Sequence, residues 1–114
     1  MSAIEFQFDS IQRGLVVGRN GDIDIPLGFI FTSIEKVRVD GDIHHLQTVR
    51  LGQVAVVNLT LEEVHWFHRK IEVVPRGHSA GQLLRGLGFD TLQAELSNLV
   101  NHEYLYLKGP SVGA

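Results

Sequence analysis

Val54-Ala55-Val56-Val57-Asn58-Leu59-Thr60-Leu61-Glu62-Glu63-Val64-His65-Trp66 is the stretch whose pattern speaks most clearly about the fold. Its first eight residues are dense in β-branched side chains, which fit a pleated surface. Side chains in a strand alternate between two faces, so Val57, Leu59 and Leu61 share one of them. The next apolar residues, Val64 and Trp66, have the opposite parity. One extra residue near Glu62-Glu63 restores a single apolar face, and the parity therefore predicts a β-bulge or short turn there.

Alternation continues on both sides of this segment. Toward the N-terminus, Ile4, Phe6 and Phe8 alternate with Glu5, Gln7 and Asp9, the pattern of a half-buried strand. Gly14-Leu15-Val16-Val17-Gly18 leads to Asn20-Gly21, a dipeptide suited to the positive φ of a tight hairpin. Pro26, which lacks an N–H, ends the extended pattern of Ile23 and Ile25 or pushes it to an edge. Phe29, Phe31 and Ser33 face one way and Ile30, Thr32 and Ile34 the other, as in a strand buried on both faces. Asp40-Gly41 and then Gly52 mark turns. Toward the C-terminus, Leu92, Leu96 and Leu99 recur at helical spacing behind Asp90, a favoured N-cap type, and predict a short helix within residues 90–100. Tyr104 to Leu107 reads as a last strand, and residues 109–114 as a loose tail.

At 114 residues the chain fits one domain, expected over residues 1–108. With 44% hydrophobic and 20% charged residues it lies far from the composition of disordered chains. Many short strands in one domain leave edges to protect, and closing into a small barrel is the usual way. The expected fold is all-β: a small closed antiparallel β-barrel with one short helix near the C-terminus. The absence of cysteine excludes a disulfide framework, a Cys-based zinc site and a thiol nucleophile. A net charge of -3 argues against a protein that coats nucleic acid by phosphate neutralisation alone, while leaving room for a local basic face. Met1 to Phe6 has neither the positive nor the apolar region of a secretory signal, and no apolar run approaches the roughly 20 residues that span a bilayer. The expectation is a cytoplasmic protein with no membrane association.

Val64-His65-Trp66-Phe67-His68-Arg69-Lys70, followed by Gly77, Ala80-Gly81 and Leu83-Leu84-Arg85-Gly86, is the most distinctive part of the chain. It resembles the second, β-barrel domain of translational GTPases such as elongation factor Tu, in which a Val-x-x-Phe-x-Lys strand leads through a Gly-containing turn to a Gly-x-Leu-Leu-Arg-Gly strand end. The resemblance covers roughly residues 27–107 and is specific over Val64 to Gly86. It implies the translation-protein barrel, with Gly77, Gly81 and Gly86 at tight corners or close backbone approaches. In elongation factor Tu the residue after the first Val is an acid that helps hold the terminal adenosine of aminoacyl-tRNA; here that position is His65, and His78-Ser79 stand where the family places an acid and an Asn. Imidazoles and a hydroxyl in place of acceptor-only carboxylates change the donor pattern of that pocket. The Gly-x-x-x-x-Gly-Lys-Ser/Thr phosphate loop is missing, since Lys36, Lys70 and Lys108 follow no such glycine pattern.

Other chemistry is thinly represented. His44, His45, His65, His68, His78 and His102 show no helical ligand spacing, and in an extended strand His65 and His68 point to opposite faces, so no metal or other cofactor is expected. Gly77-His78-Ser79-Ala80-Gly81 matches Gly-x-Ser-x-Gly in letters, and Asp90 or Glu72 could complete a triad, but the strand-turn-helix setting of a nucleophile elbow is lacking. No enzyme is expected. Aromatic and basic residues mix from His65 to Arg85, as a single-stranded nucleic-acid surface requires. The competing reading has Trp66 or Phe67 filling the barrel while the cations pair with Glu62, Glu63 and Glu72. The candidate binding residues are His65, Phe67, His68, Arg69, Arg76, His78, Ser79 and Arg85, in a non-catalytic module for RNA or a translation-related protein. The alternative is a protein-protein or oligomeric role through exposed strand edges.

Overall fold

The computed structural model describes residues 4–42 and 44–110. Along the chain run β1 (Ile4–Gln12), β2 (Leu15–Asn20), β3 (Ile25–Pro26), β4 (Ile30–Asp40), β5 (Gln47–Trp66), β6 (Arg69–Ile71), β7 (Val73–Val74), β8 (Ser79–Leu87), the helix α1 (Phe89–Ser97) and β9 (Glu103–Gly109). The main sheet has the order β4-β9-β1-β2-β8-β5-β6, and β5 pairs again with β4, so hydrogen bonds run in a closed ring through β4, β9, β1, β2, β8 and β5. Every pairing in the ring is antiparallel. The all-β expectation holds, with α1 between β8 and β9 as the one helix among the described residues. None of the described residues forms a helix long and apolar enough to cross a membrane.

The ring has one interior, and each strand sends alternate residues into it. Ile4, Phe6 and Phe8 of β1, Leu105 and Leu107 of β9, and Val57, Leu59 and Leu61 of β5 are buried there. Past Leu61 the ladder between β5 and β8 slips by one residue before Glu63, which is where the parity required a bulge, and Val64 returns to the core. Each such side chain removed from water contributes about 1.5–3 kcal/mol. Leu92 anchors α1 in the same core, with Phe89, Leu96 and Leu99 packed against it. β3 and β7 form a two-stranded ribbon that adds Ile25 and Val74.

Several local expectations are corrected. Asn20-Gly21 is not a hairpin turn: the first hairpin closes at Arg13-Gly14, with φ of 54° and 79°, between Gln12 and Leu15. Asn20 instead ties β2 to the ribbon, its buried Nδ2 donating to the carbonyls of Ile23 at 2.8 Å and Val74 at 3.0 Å. β4 is not buried on both faces, because a strand in a ring has only one interior side; Ile30 is exposed, while Phe31 and Ile34 are both buried across a register shift. Asp90 lies in the first turn of α1, whose N-cap is Gly88, and its carboxylate complements the helix dipole there. Lys108 and Gly109 belong to β9, paired with Glu5 and Ile4, so the last strand reaches into the expected tail; residues 111–114 of that tail lie outside the described residues.

Gly52 is also no turn; it lies inside β5. A straight strand of 20 residues would span about 66 Å, yet the molecule extends only 39 Å along its longest axis. β5 must therefore bend. Its ladder with β4 slips at three places, between Phe31 and Ser33, Ile34 and Glu35, and Lys36 and Val37. Gly52, at φ 98°, sits at the last of these. Bulges add twist and curvature, and this lets one strand pair first with β4 and then with β8.

Outside the ring, Glu5 of β1, Lys108 of β9, Glu35 of β4 and Arg50 of β5 form an ion network. Lys108 Nζ lies 3.2 Å from Glu35 and 3.5 Å from Glu5, and Arg50 donates to Glu35. Burial pushes the Glu35 carboxyl up, but the hydrogen bonds from Lys108 and Arg50 outweigh it and hold the group below its ordinary value. A depressed carboxyl stabilises the fold above the unfolded value of about 4.3, and that contribution is lost as pH falls through the folded value. Glu35→Gln should therefore be less stable than the native chain at pH 7 in urea unfolding, with the gap closing below about pH 4. A gap that stays constant down to pH 3 would refute this role for Glu35.

Candidate binding cleft

β8 runs between β2 and β5 in the ring. At its start Ser79 opposes Arg19, and Gly81 lies between Val17 of β2 and His65 of β5. These residues alternate with the buried Val16, Ala80, Gln82 and Val64, so they face outward. Gly81 has no side chain and makes the middle strand a floor. Arg19 and Val17 rise on one side and His65 on the other.

After Trp66 the chain reverses at Phe67-His68 and returns with Arg69 opposite Trp66. Both turn residues are left-handed, with φ of 49° and 64°. For non-glycine residues this conformation costs roughly 1–2 kcal/mol each. The turn holds Phe67 at the rim, 77% exposed, while Trp66 is half-buried against the core. Ring centroids of Trp66 and Phe67 lie 4.7 Å apart, and those of Trp66 and His78 5.6 Å apart, both edge to face. Arg19, His65, Trp66, Phe67, His78 and Ser79 thus surround a cleft of about 520 Å³.

His65 is oriented by its neighbour two residues earlier on the same face. Its Nε2 donates to Glu63 Oε1 at 2.9 Å, and Lys70 lies 3.6 Å from the same carboxylate. The hydrogen bond from His65, with help from the charge of Lys70 and against slight desolvation, holds the Glu63 carboxyl below its ordinary range. Glu63 stays outside the cleft, and no Asp or Glu is among the described residues lining it. The lining is rich in N–H and O–H donors and carries one permanent cation, Arg19.

Four of the eight expected residues, His65, Phe67, His78 and Ser79, come together here. His68 is the second turn residue, Arg69 opens β6 and Arg76 precedes Gly77, with its backbone N–H donating to Asp24 at 2.7 Å; these three border the cleft in sequence without lining it. Arg85 is placed elsewhere: it lies six residues beyond Ser79 along β8, about 20 Å away, and pairs with Glu62 at 2.7 Å. The reading of His65 to His68 as continuous strand is corrected by the turn at Phe67-His68. Between the two aromatics, Trp66 packs inward and Phe67 does not.

Arg19 was not legible as a site residue. It reaches Ser79 only through the pairing of β2 with β8, and its outward parity after the apolar run Leu15 to Val17 was the one available signal. Ser79 opens an antiparallel strand, where no strand-to-helix elbow exists. Among the described residues no three His, Asp or Glu side chains converge as a metal set. Comparison with known proteins finds no matching family model, curated protein or solved structure.

Proposed function

We propose that the chain is a non-catalytic binding module, a small barrel of the translation-factor kind, and that the cleft between β2, β8 and β5 takes single-stranded RNA. The observation that carries this reading is the exposed Phe67, held by a strained turn beside Trp66 in a donor-rich cleft containing Arg19. Rings that stack bases together with cations that meet phosphates are what sequence-tolerant single-strand binding uses. Backbone strain of this kind persists where surrounding structure enforces it, commonly at binding sites. Val64 to Gly86, which carry the resemblance to the translational GTPases, build most of the cleft, and this supports a translation-linked RNA as partner. Association through a strand edge has weaker support, because the repeated bulges of β5 blunt the edge it would use.

Trp66 is the only tryptophan, so its fluorescence reports on the cleft directly. Titration with a short oligoadenylate should quench it, and the affinity should fall as salt rises. Phe67→Ala should weaken binding about tenfold, since one stacked base is worth roughly 1–3 kcal/mol. Arg85→Ala, outside the cleft, should leave binding within about twofold. Absence of quenching, or equal affinity for the Phe67→Ala protein, would remove the basis for the proposal.

A further inference from the structure

Resting on that reading, we infer that the cleft recognises a terminal nucleotide bearing a phosphomonoester rather than an internal stretch of strand. Size is the first reason. At about 520 Å³ the cleft has the volume of a small-molecule site, whereas a groove that tracks a strand accommodates about 4–16 nucleotides. Charge is the second. A tracking groove gains affinity from a succession of phosphate contacts, but among the described residues lining this cleft only Arg19 supplies a fixed positive charge. Lys70 is engaged by Glu63 at 3.6 Å and Arg85 by Glu62 at 2.7 Å, the latter on a distant part of β8. The chain as a whole is net negative.

What the cleft does concentrate is donors. The Arg19 guanidinium, the His78 imidazole and the Ser79 hydroxyl line one small volume with no carboxylate among them, while the His65 N–H is already given to Glu63 outside it. A phosphodiester carries a single negative charge, while a phosphomonoester carries about -1.5 to -2 at neutral pH and three strong acceptor oxygens. The denser anion makes fuller use of such a set. Arg19 opposes Ser79 across the β2–β8 ladder, so a phosphate between them meets a guanidinium and a hydroxyl from adjacent strands. Phe67 at the rim then offers its ring to the attached base. The same chemistry is presented by a phosphorylated RNA end and by a free nucleoside monophosphate.

Trp66 fluorescence tests this with four probes: short oligoadenylates ending in a 5′-phosphate, in a 3′-phosphate or in hydroxyls at both ends, and adenosine monophosphate. At least one phosphorylated end should bind tenfold or more tightly than the hydroxyl-ended oligomer. Arg19→Ala should weaken binding of both oligomers and erase that preference, so that on this variant the phosphorylated and hydroxyl-ended oligomers bind within about twofold of each other, and Arg19→Lys should restore part of the difference. Adenosine monophosphate binding as tightly as the phosphorylated oligomer would identify a free nucleotide as the source of the same group. Equal affinity for all three oligomers would overturn the inference and leave RNA binding standing; no quenching by any probe would overturn both.

Discussion

Gly86→Ala should destabilise the protein by about 3–5 kcal/mol, a large share of the roughly 5–15 kcal/mol that typically holds a domain folded. Gly86 lies near the end of β8, opposite Leu59, with φ of 141°. A Cβ there would sit 2.0 Å from the Asn58 carbonyl oxygen. The neighbour is backbone in the paired strand and cannot rotate away, so β5 and β8 must separate to admit a methyl group. Steric overpacking of this kind costs about 1–3 kcal/mol, and holding a non-glycine residue at that φ adds a further 1–3 kcal/mol or so. The β5–β8 ladder is one of the six seams that close the ring, and losing its register also exposes Leu59 and Leu61. Urea unfolding followed by circular dichroism measures the effect. A loss below about 1 kcal/mol would mean that the seam is loose and that the ring does not depend on this close approach.

Gln82→Met should act in the opposite direction. Gln82 points into the ring between Val16 and Val64 and is fully buried, and neither its Nε2 nor its Oε1 has a hydrogen-bond partner among the described residues. A buried polar group without a partner costs about 1–3 kcal/mol. Methionine has nearly the same length and volume and no polar group to leave unpaired, so the exchange should stabilise the fold by roughly 2 kcal/mol. For a domain of this size the melting temperature should rise by roughly 5–10 °C. Gln82→Ala separates this account from simple packing, because it removes the amide and leaves a cavity that offsets the gain. If Gln82→Met lowered stability, the amide would have to be satisfied in a way that makes it an asset.

The strands themselves were largely readable. Ile4, Phe6 and Phe8 alternate because β1 has one wet and one dry face, and the mismatch between Leu61 and Val64 located a bulge without any coordinates. Turn chemistry misled where a residue that favours turns had another use: Asn20 serves as a buried hydrogen-bonding tie, and Gly52 as a bend within a strand. Phe67-His68 erred the other way, since Phe disfavours a left-handed turn, His adopts one only occasionally, and local preference spoke for strand. For the site, His65, Phe67, His78 and Ser79 were within reach of inspection because they cluster in two short segments. Arg85 shared their composition but not their neighbourhood, being six residues farther along the same strand.

By itself the sequence determined that this chain is built of strands, that apolar residues of alternating parity form its core, and roughly where a helix interrupts them. Those features follow from local periodicity, in which each side chain's face depends only on its near neighbours. Tertiary structure alone decided that β5 returns to β4 to close the ring, that Arg19 stands opposite Ser79, and that Gln82 is buried with no hydrogen-bond partner among the described residues. Such facts depend on which strand lies beside which, and strand pairing joins residues dozens of positions apart that carry no mark of each other in the chain.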